Sequence, residues 1–101
     1  VTSEIIIVSI KQRKNAIVIK NKTKTPQDMN GWSIAQSMTG LVFNFPKDFV
    51  LGSYGVVTIY SKEGNNNKGN LYWNLNQKVW DEIHDTAMLK YNNSIKSVFA
   101  Y

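Results

Sequence analysis

A chain of 101 residues with 43% hydrophobic side chains, including three Trp, five Tyr and four Phe, can close one core but is too short for two. It has no cysteine, which excludes disulfide staples and thiolate metal centres, and no apolar run near the ~20 residues that cross a bilayer as a helix. The net charge of +5 favours acidic partners and says nothing of the fold.

In chain order, Ile5 to Ile10 and Ala16 to Ile19 are β-branched apolar runs, joined by Lys11-Gln12-Arg13-Lys14-Asn15, a polar connector of hairpin length. The opening Ile5-Ile6-Ile7-Val8 is followed by no leader-peptide cleavage pattern. Residues 22–31 read as a loop carrying Pro26 and ending on Asn30-Gly31, a pair suited to positive φ. Trp32 to Gln36 alternates, with Trp32 and Ile34 inward. Ser37 to Gly40 turns the chain, and Phe43 and Phe45 follow at period two until Pro46, which cannot donate to a ladder. Phe49 and Leu51 anchor a loop, Gly52 to Gly55 turns, and Val56 to Ser61 is a strand. Residues 62–70 are an Asn-rich solvated loop. Leu71 to Trp73 is a short strand, and Asp81 to Met88 could hold one helical turn. Thr86 to Tyr91, Asn92-Asn93 and Ser94 to Ala100 read as strand, turn and strand. With no sustained helical period and no internal repeat, the pattern predicts an all-β, immunoglobulin-like antiparallel sandwich of about eight or nine short strands.

Six of the twelve basic residues, Lys11, Arg13, Lys14, Lys20, Lys22 and Lys24, precede residue 25, where Glu4 is the one acid. A compact patch of this kind attracts polyanions, while the same side chains also keep exposed strands soluble and their edges unpaired. Trp32 and Trp73 are assigned to the core, and Trp80 to the end of the sandwich. A stacking platform for bases would require these rings to be exposed. Glu82 and His84 lie on one side of an extended segment, but a metal centre needs three or four converging donors, so the segment reads as a solvated acidic turn and no metal is expected. No G-x-S-x-G elbow, P-loop or dinucleotide-binding glycine fingerprint occurs. No enzyme activity, cofactor or small-molecule substrate is expected. Asn21-Lys22-Thr23 and Asn92-Asn93-Ser94 match the glycosylation acceptor pattern, which has meaning only in a secreted protein.

One family joins these pieces. Ile17 to Thr23, with Asn21 closing a strand, then Gln27-Asp28-Met29-Asn30-Gly31-Trp32, Phe45-Pro46, Phe49-Val50-Leu51, Gly55 to Tyr60, Leu71-Tyr72-Trp73, Asn76-Gln77 with Trp80, and Thr86 to Leu89 resemble the tail domain of nuclear lamins in order and spacing. The resemblance implies an immunoglobulin-like domain of a longer coiled-coil protein that dimerises and forms filaments. It implies a place in the nuclear lamina, with chromatin or DNA (bound weakly and salt-sensitively) and nuclear-envelope proteins as partners. Asn21, Gly31, Trp32, Phe45, Pro46, Leu51, Trp73 and Trp80 are its structural positions, and Lys11, Arg13, Lys14, Lys20, Lys22 and Lys24 its candidate contacts. Asn44 and Asp85 stand where A-type lamins carry arginines, and residues 62–70 depart from the lamin composition, which points to a distant or non-animal relative. The alternative implied is a docking or adhesion module of a prokaryotic secreted or surface protein beside a hydrolase.

Overall fold

Strand β1 (Ile5–Lys11) and strand β2 (Ala16–Asn21) make the first hairpin of the computed structural model, which describes residues 4–101. Ile7 lies opposite Ile19 and Ile10 opposite Ile17, and the register slips between Ile7 and Ser9. That bulge is why Ile5, Ile7 and Ile10 are all buried: strict alternation would send Ile10 to solvent. Val56–Tyr60 (β7) lies antiparallel to the other side of β2, and Asn70–Tyr72 (β8) completes a sheet of order β1-β2-β7-β8.

The β7–β8 pair corrects the all-antiparallel expectation. Ile59 meets Leu71 in a parallel register, because residues 61–69 carry the chain back alongside β7 before β8 begins. The second sheet has order β10-β9-β4-β5, from Ser94–Ala100 (β10), Thr86–Tyr91 (β9), Trp32–Gln36 (β4) and Val42–Asn44 (β5). Gln27–Asp28 (β3) and Val50–Leu51 (β6) pair as a two-stranded clip where loops were expected, which raises the strand total among the described residues to ten.

The two sheets close over Ile17, Ile19, Val57, Ile59 and Leu71 on one side and Ile34, Phe43, Ala87 and Leu89 on the other. Edge strands β1 and β10 meet along one flank, where the Ile7 N–H donates to Ser97 Oγ at 3.1 Å. Trp32 is buried as expected, and Trp80 is more so, 1% exposed. Trp73 is only half-buried, since it sits outside the strands with its ring against Phe43 and Trp80. The segment before β9 forms no helical turn. Asp81 Oδ1 instead accepts the N–H groups of Ile83 (2.8 Å) and His84 (3.3 Å), a local bond that competes with helix. Among the described residues no helix is long and apolar enough to cross a membrane.

Candidate functional site

The basic residues of the first quarter of the chain do not form one patch. Lys11, Arg13 and Lys14 belong to the β1–β2 turn, whereas Lys20, Lys22 and Lys24 cluster at the far end of β2. Lys11 lies opposite Ala16, so four residue steps of β2, about 13 Å, separate it from Lys20, and Lys22 and Lys24 follow beyond the end of the strand.

At the turn end, Asn15 sits at φ 51°, a left-handed conformation that asparagine tolerates, and is 7% exposed. Its Oδ1 accepts from Ser61 Oγ (2.7 Å) and from the N–H groups of Val79 (2.6 Å) and Trp80 (3.1 Å), and its Nδ2 donates to Trp80 O (2.8 Å). The Ser61 N–H and Oγ both donate to Asn15 O. These bonds draw two remote segments onto the turn. They bring the exposed Lys62 and Lys78, neighbours of Ser61 and Val79, to the same end as Lys11, Arg13 and Lys14. Lys78 is paired with Glu82 at 3.2 Å, and Lys62 lies over the Tyr60 ring at 5.5 Å with Glu63 beside it in sequence. An exposed pair of this kind contributes little to stability.

The outer face of the first sheet carries a Tyr60–Tyr72 stack with centroids 5.2 Å apart and planes 18° from parallel. It does not serve as an open stacking platform. Lys62 covers Tyr60, and the Gly64 backbone lies so close to Tyr72 that a Cβ there would come within 2.4 Å of the ring. Trp32 and Trp80 are buried, so they offer no platform either, and neither indole N–H has a partner among the described residues.

The opposite end is organised by Asn21, which is fully buried. Its Oδ1 accepts from Thr23 N and Oγ1 (both 2.9 Å), while Nδ2 is shared among the carbonyls of Thr25 (2.8 Å), Gly52 (3.1 Å) and Leu51 (3.2 Å). This ties the loop of Lys22 and Lys24 to β6. Among the other motif positions, Phe45 and Leu51 are in the core and Pro46 is partly buried. Gly31 has φ +85°, and a Cβ there would stand 2.9 Å from Asn92 Oδ1 and 3.3 Å from the Tyr91 ring. Both facts require glycine ahead of Trp32.

Glu82 and His84 are exposed, and no group of three His, Cys, Asp or Glu side chains able to hold a metal occurs among the described residues. The Asp81 carboxyl is held below its ordinary range, first by the Ile83 N–H, then by the His84 N–H, against a smaller opposing effect of burial and with a weak contribution from the His84 charge. Asp85 is 3% exposed and serves the fold. Its Oδ2 accepts from Gln36 Nε2 (2.6 Å) and Asp81 N (2.9 Å), and its Oδ1 from Thr86 N (2.8 Å). Asn15, Ser61, Gln36 and Asp85 are the polar core residues that sequence reasoning missed. Each is a common polar residue with at least one partner in a remote segment, and only the tolerance of Asn15 for positive φ left a local trace.

An immunoglobulin-like sandwich with an apolar core, a few buried polar side chains that hold its loops, and lysines towards both ends of β2 defines a structural domain. The model of the Lamin Tail Domain family matches residues 1–101, and the chain belongs to that family. No curated protein matches the sequence.

Proposed function

We propose that residues 1–101 are the tail domain of a longer, lamin-like nuclear intermediate-filament protein whose coiled-coil rod dimerises and assembles. The domain acts there as a scaffold. It meets chromatin or DNA weakly and salt-sensitively, meets nuclear-envelope proteins, and uses no cofactor or small-molecule substrate. Membership of a family generally associated with the nuclear lamina supports the setting. The observation that carries the reading is the convergence of Lys62 and Lys78 on the Lys11–Lys14 turn, a set of cations mounted on a buried hydrogen-bond network. Flexible cations on a rigid base suit phosphates rather than base edges, so binding is independent of DNA sequence. Lys20, Lys22 and Lys24 form a second, separate contact.

Fluorescence anisotropy with two unrelated DNA duplexes over a salt series tests this. Lys11→Glu, Arg13→Glu and Lys14→Glu together are expected to weaken binding about tenfold or more and to flatten its salt dependence. The reversal of Lys20, Lys22 and Lys24 is expected to do less. Unchanged affinity of the first triple variant at low salt would overturn the proposal. In the parental sequence, a heptad-repeat rod supports the filament setting, and an adjoining hydrolase would replace it with a docking role outside the nucleus.

A further inference from the structure

The two larger sheets end in four edge strands, and three of them are guarded. Strand β1 bulges between Ile7 and Ser9, ends in Lys11 and gives its Ile7 N–H to Ser97 Oγ. Strand β10 lies along β1, bulges between Ile95 and Ser97, and carries the exposed Lys96 at the bulge. Strand β8 is capped by the Asn-rich loop. Asn67 Oδ1 accepts the Asn70 N–H (2.9 Å), Asn70 O accepts the Asn67 N–H (2.9 Å), and Asn66 Oδ1 accepts the Tyr72 N–H (2.9 Å). Bulges, charges and covers are the devices that keep a sheet edge from pairing with another chain.

Strand β5 has none of them. Gln36 N–H donates to Leu41 O and Phe45 N–H to Trp32 O, with Ile34 opposite Phe43 in a register that runs without a shift. Bonded positions alternate in an antiparallel pair, so Val42 and Asn44 turn their N–H and C=O groups away from β4. Those groups meet no partner among the described residues. Both residues are exposed, and although the chain is 19% charged, no charge occurs from Asn30 to Pro46 to discourage pairing. Trp73, the tryptophan that is only partly buried, stands on the same flank with its ring 5.6 Å from that of Phe43.

A second copy of the chain is the occupant that fits this edge. Antiparallel pairing about a twofold axis at Phe43 sets Val42 of each copy opposite Asn44 of the other. Every free N–H and C=O of the two positions is then satisfied at once. A foreign peptide finds little to recognise here. The edge is uncharged, and neither the cavity beside β6 nor the one beside Trp80 is lined by Val42, Phe43 or Asn44. Strand addition takes its specificity from such pockets. Two neutral edges, in contrast, meet without the repulsion that a net charge of +5 creates between copies elsewhere. We propose that β5 pairs with β5 of a second copy, joining two four-stranded sheets into one across the axis and covering each Trp73. The strands are short, so the pair buries less than the ~1,200 Å² of a standard interface and is weak between free chains. A dimerising rod raises the effective concentration of the two domains. In that respect alone the proposal rests on the filament reading above.

The test records amide spectra of the 15N-labelled chain up to millimolar concentration, and again with the chain fused behind an unrelated parallel two-stranded coiled coil. The Val42 and Asn44 amides are expected to move downfield with concentration, and further in the fusion. Trp32 and Trp80 are buried already, so the accompanying loss of acrylamide quenching reports Trp73. Val42→Lys and Val42→Glu are exposed changes, and the axis sets residue 42 of one copy diagonal to its counterpart. Each variant alone is therefore expected to pair several-fold more weakly, with unchanged core amides, and an equal mixture of the two to recover the pairing. Val42 and Asn44 amides that respond to neither concentration nor tether would overturn the proposal. So would shifts confined to β1 or β10, or a mixture no better than either variant. The two readings fail separately. A parental sequence without a rod removes the tether and leaves the concentration-dependent pairing, whereas fused chains that stay apart remove the pairing and leave the rod.

Discussion

Strand β2 ends in a buried asparagine on each side, and the two are wired differently. Asn21 works locally for the most part: its Oδ1 folds residues 22–23 back on themselves, and its Nδ2 reaches Thr25 before crossing to Leu51 and Gly52. Asn15 works only at long range. Its carboxamide joins Ser61, Val79 and Trp80, segments 46 to 65 residues away. The chemistry is inverted as well. Asn21 Nδ2 stands among three carbonyls, so the NH2 group is the essential half, whereas Asn15 Oδ1 stands among donors, so the carbonyl is. One end of the sandwich is held by a donor and the other by an acceptor.

Replacing each asparagine with aspartate should separate these roles. Asn21→Asp sets a buried carboxylate against three carbonyl oxygens and is expected to cost ~4 kcal/mol, a large part of the ~5–15 that holds a small domain together. Asn15→Asp keeps an oxygen facing the Val79 and Trp80 N–H groups and opposes only Trp80 O, so a loss of about 1–2 kcal/mol is expected. Urea unfolding of both variants measures the difference. An equal or reversed order would show that the donor–acceptor contrast is not what distinguishes the ends.

The tryptophans extend the contrast. Asn15 grips the Trp80 backbone and the indole is buried, so Trp80→Ala is expected to cost ~3–4 kcal/mol. Trp73 lies against Phe43 and Trp80 but is only partly buried, and its truncation is expected to cost about half as much. Chemical denaturation again decides. A larger loss at Trp73 would mean that the turn end is closed by the outer ring rather than by the asparagine-held inner one.

How far this organisation could be read from the sequence follows the same division between local and remote. The strand runs, the inward Trp32 and Ile34 and the Gly31 turn were legible because their causes lie within a few residues, alternation and a positive φ, whereas Asn21 was singled out by the family resemblance alone. Asn15 read as part of a polar connector because its partners are remote. The β3–β6 clip was invisible for a related reason, since Gln27–Asp28 carries no strand signal and is extended only because Leu51 and Val50 lie beside it. Residues 62–70 looked like a solvated low-complexity loop, and only the paired backbone of β8 reveals Asn66 and Asn67 as caps. The division of the basic residues was legible in principle, since a strand of known rise lies between Lys14 and Lys20.

Gly64 probes the turn end more gently. Its backbone rests on Tyr72, which stacks on Tyr60 beneath Lys62, so Gly64→Ala must displace a ring or a loop and is expected to cost about 1–2 kcal/mol. The readout is loss of the ring-current shifts of the Tyr60 and Tyr72 resonances, at a thermal midpoint only a few degrees lower. Retained ring shifts would show that the loop alone yields.

The smallest effect concerns the last residue and appears only at high pH. Tyr101 exchanges backbone hydrogen bonds with Asp85 (3.1 and 3.2 Å), and its hydroxyl donates to Asp81 O. Its phenol is pushed up to about 12, first by burial, then by the negative charges of Asp85 and Asp81. A pKa raised in the folded state means that the unfolded chain gives up the proton first. The contribution to stability is therefore complete below the ordinary value of 10.0 and is lost as the pH rises towards about 12. In that window the wild-type chain is expected to lose amide protection at Asp85 and Tyr101 before its core amides exchange. Tyr101→Phe cannot ionise, so its protection, although lower at neutral pH, should show no step between pH 10 and 12 from this group. A step of equal size in the variant would assign the alkaline loosening to groups other than Tyr101, and the strap it forms with Asp85 would then be held by its backbone bonds alone.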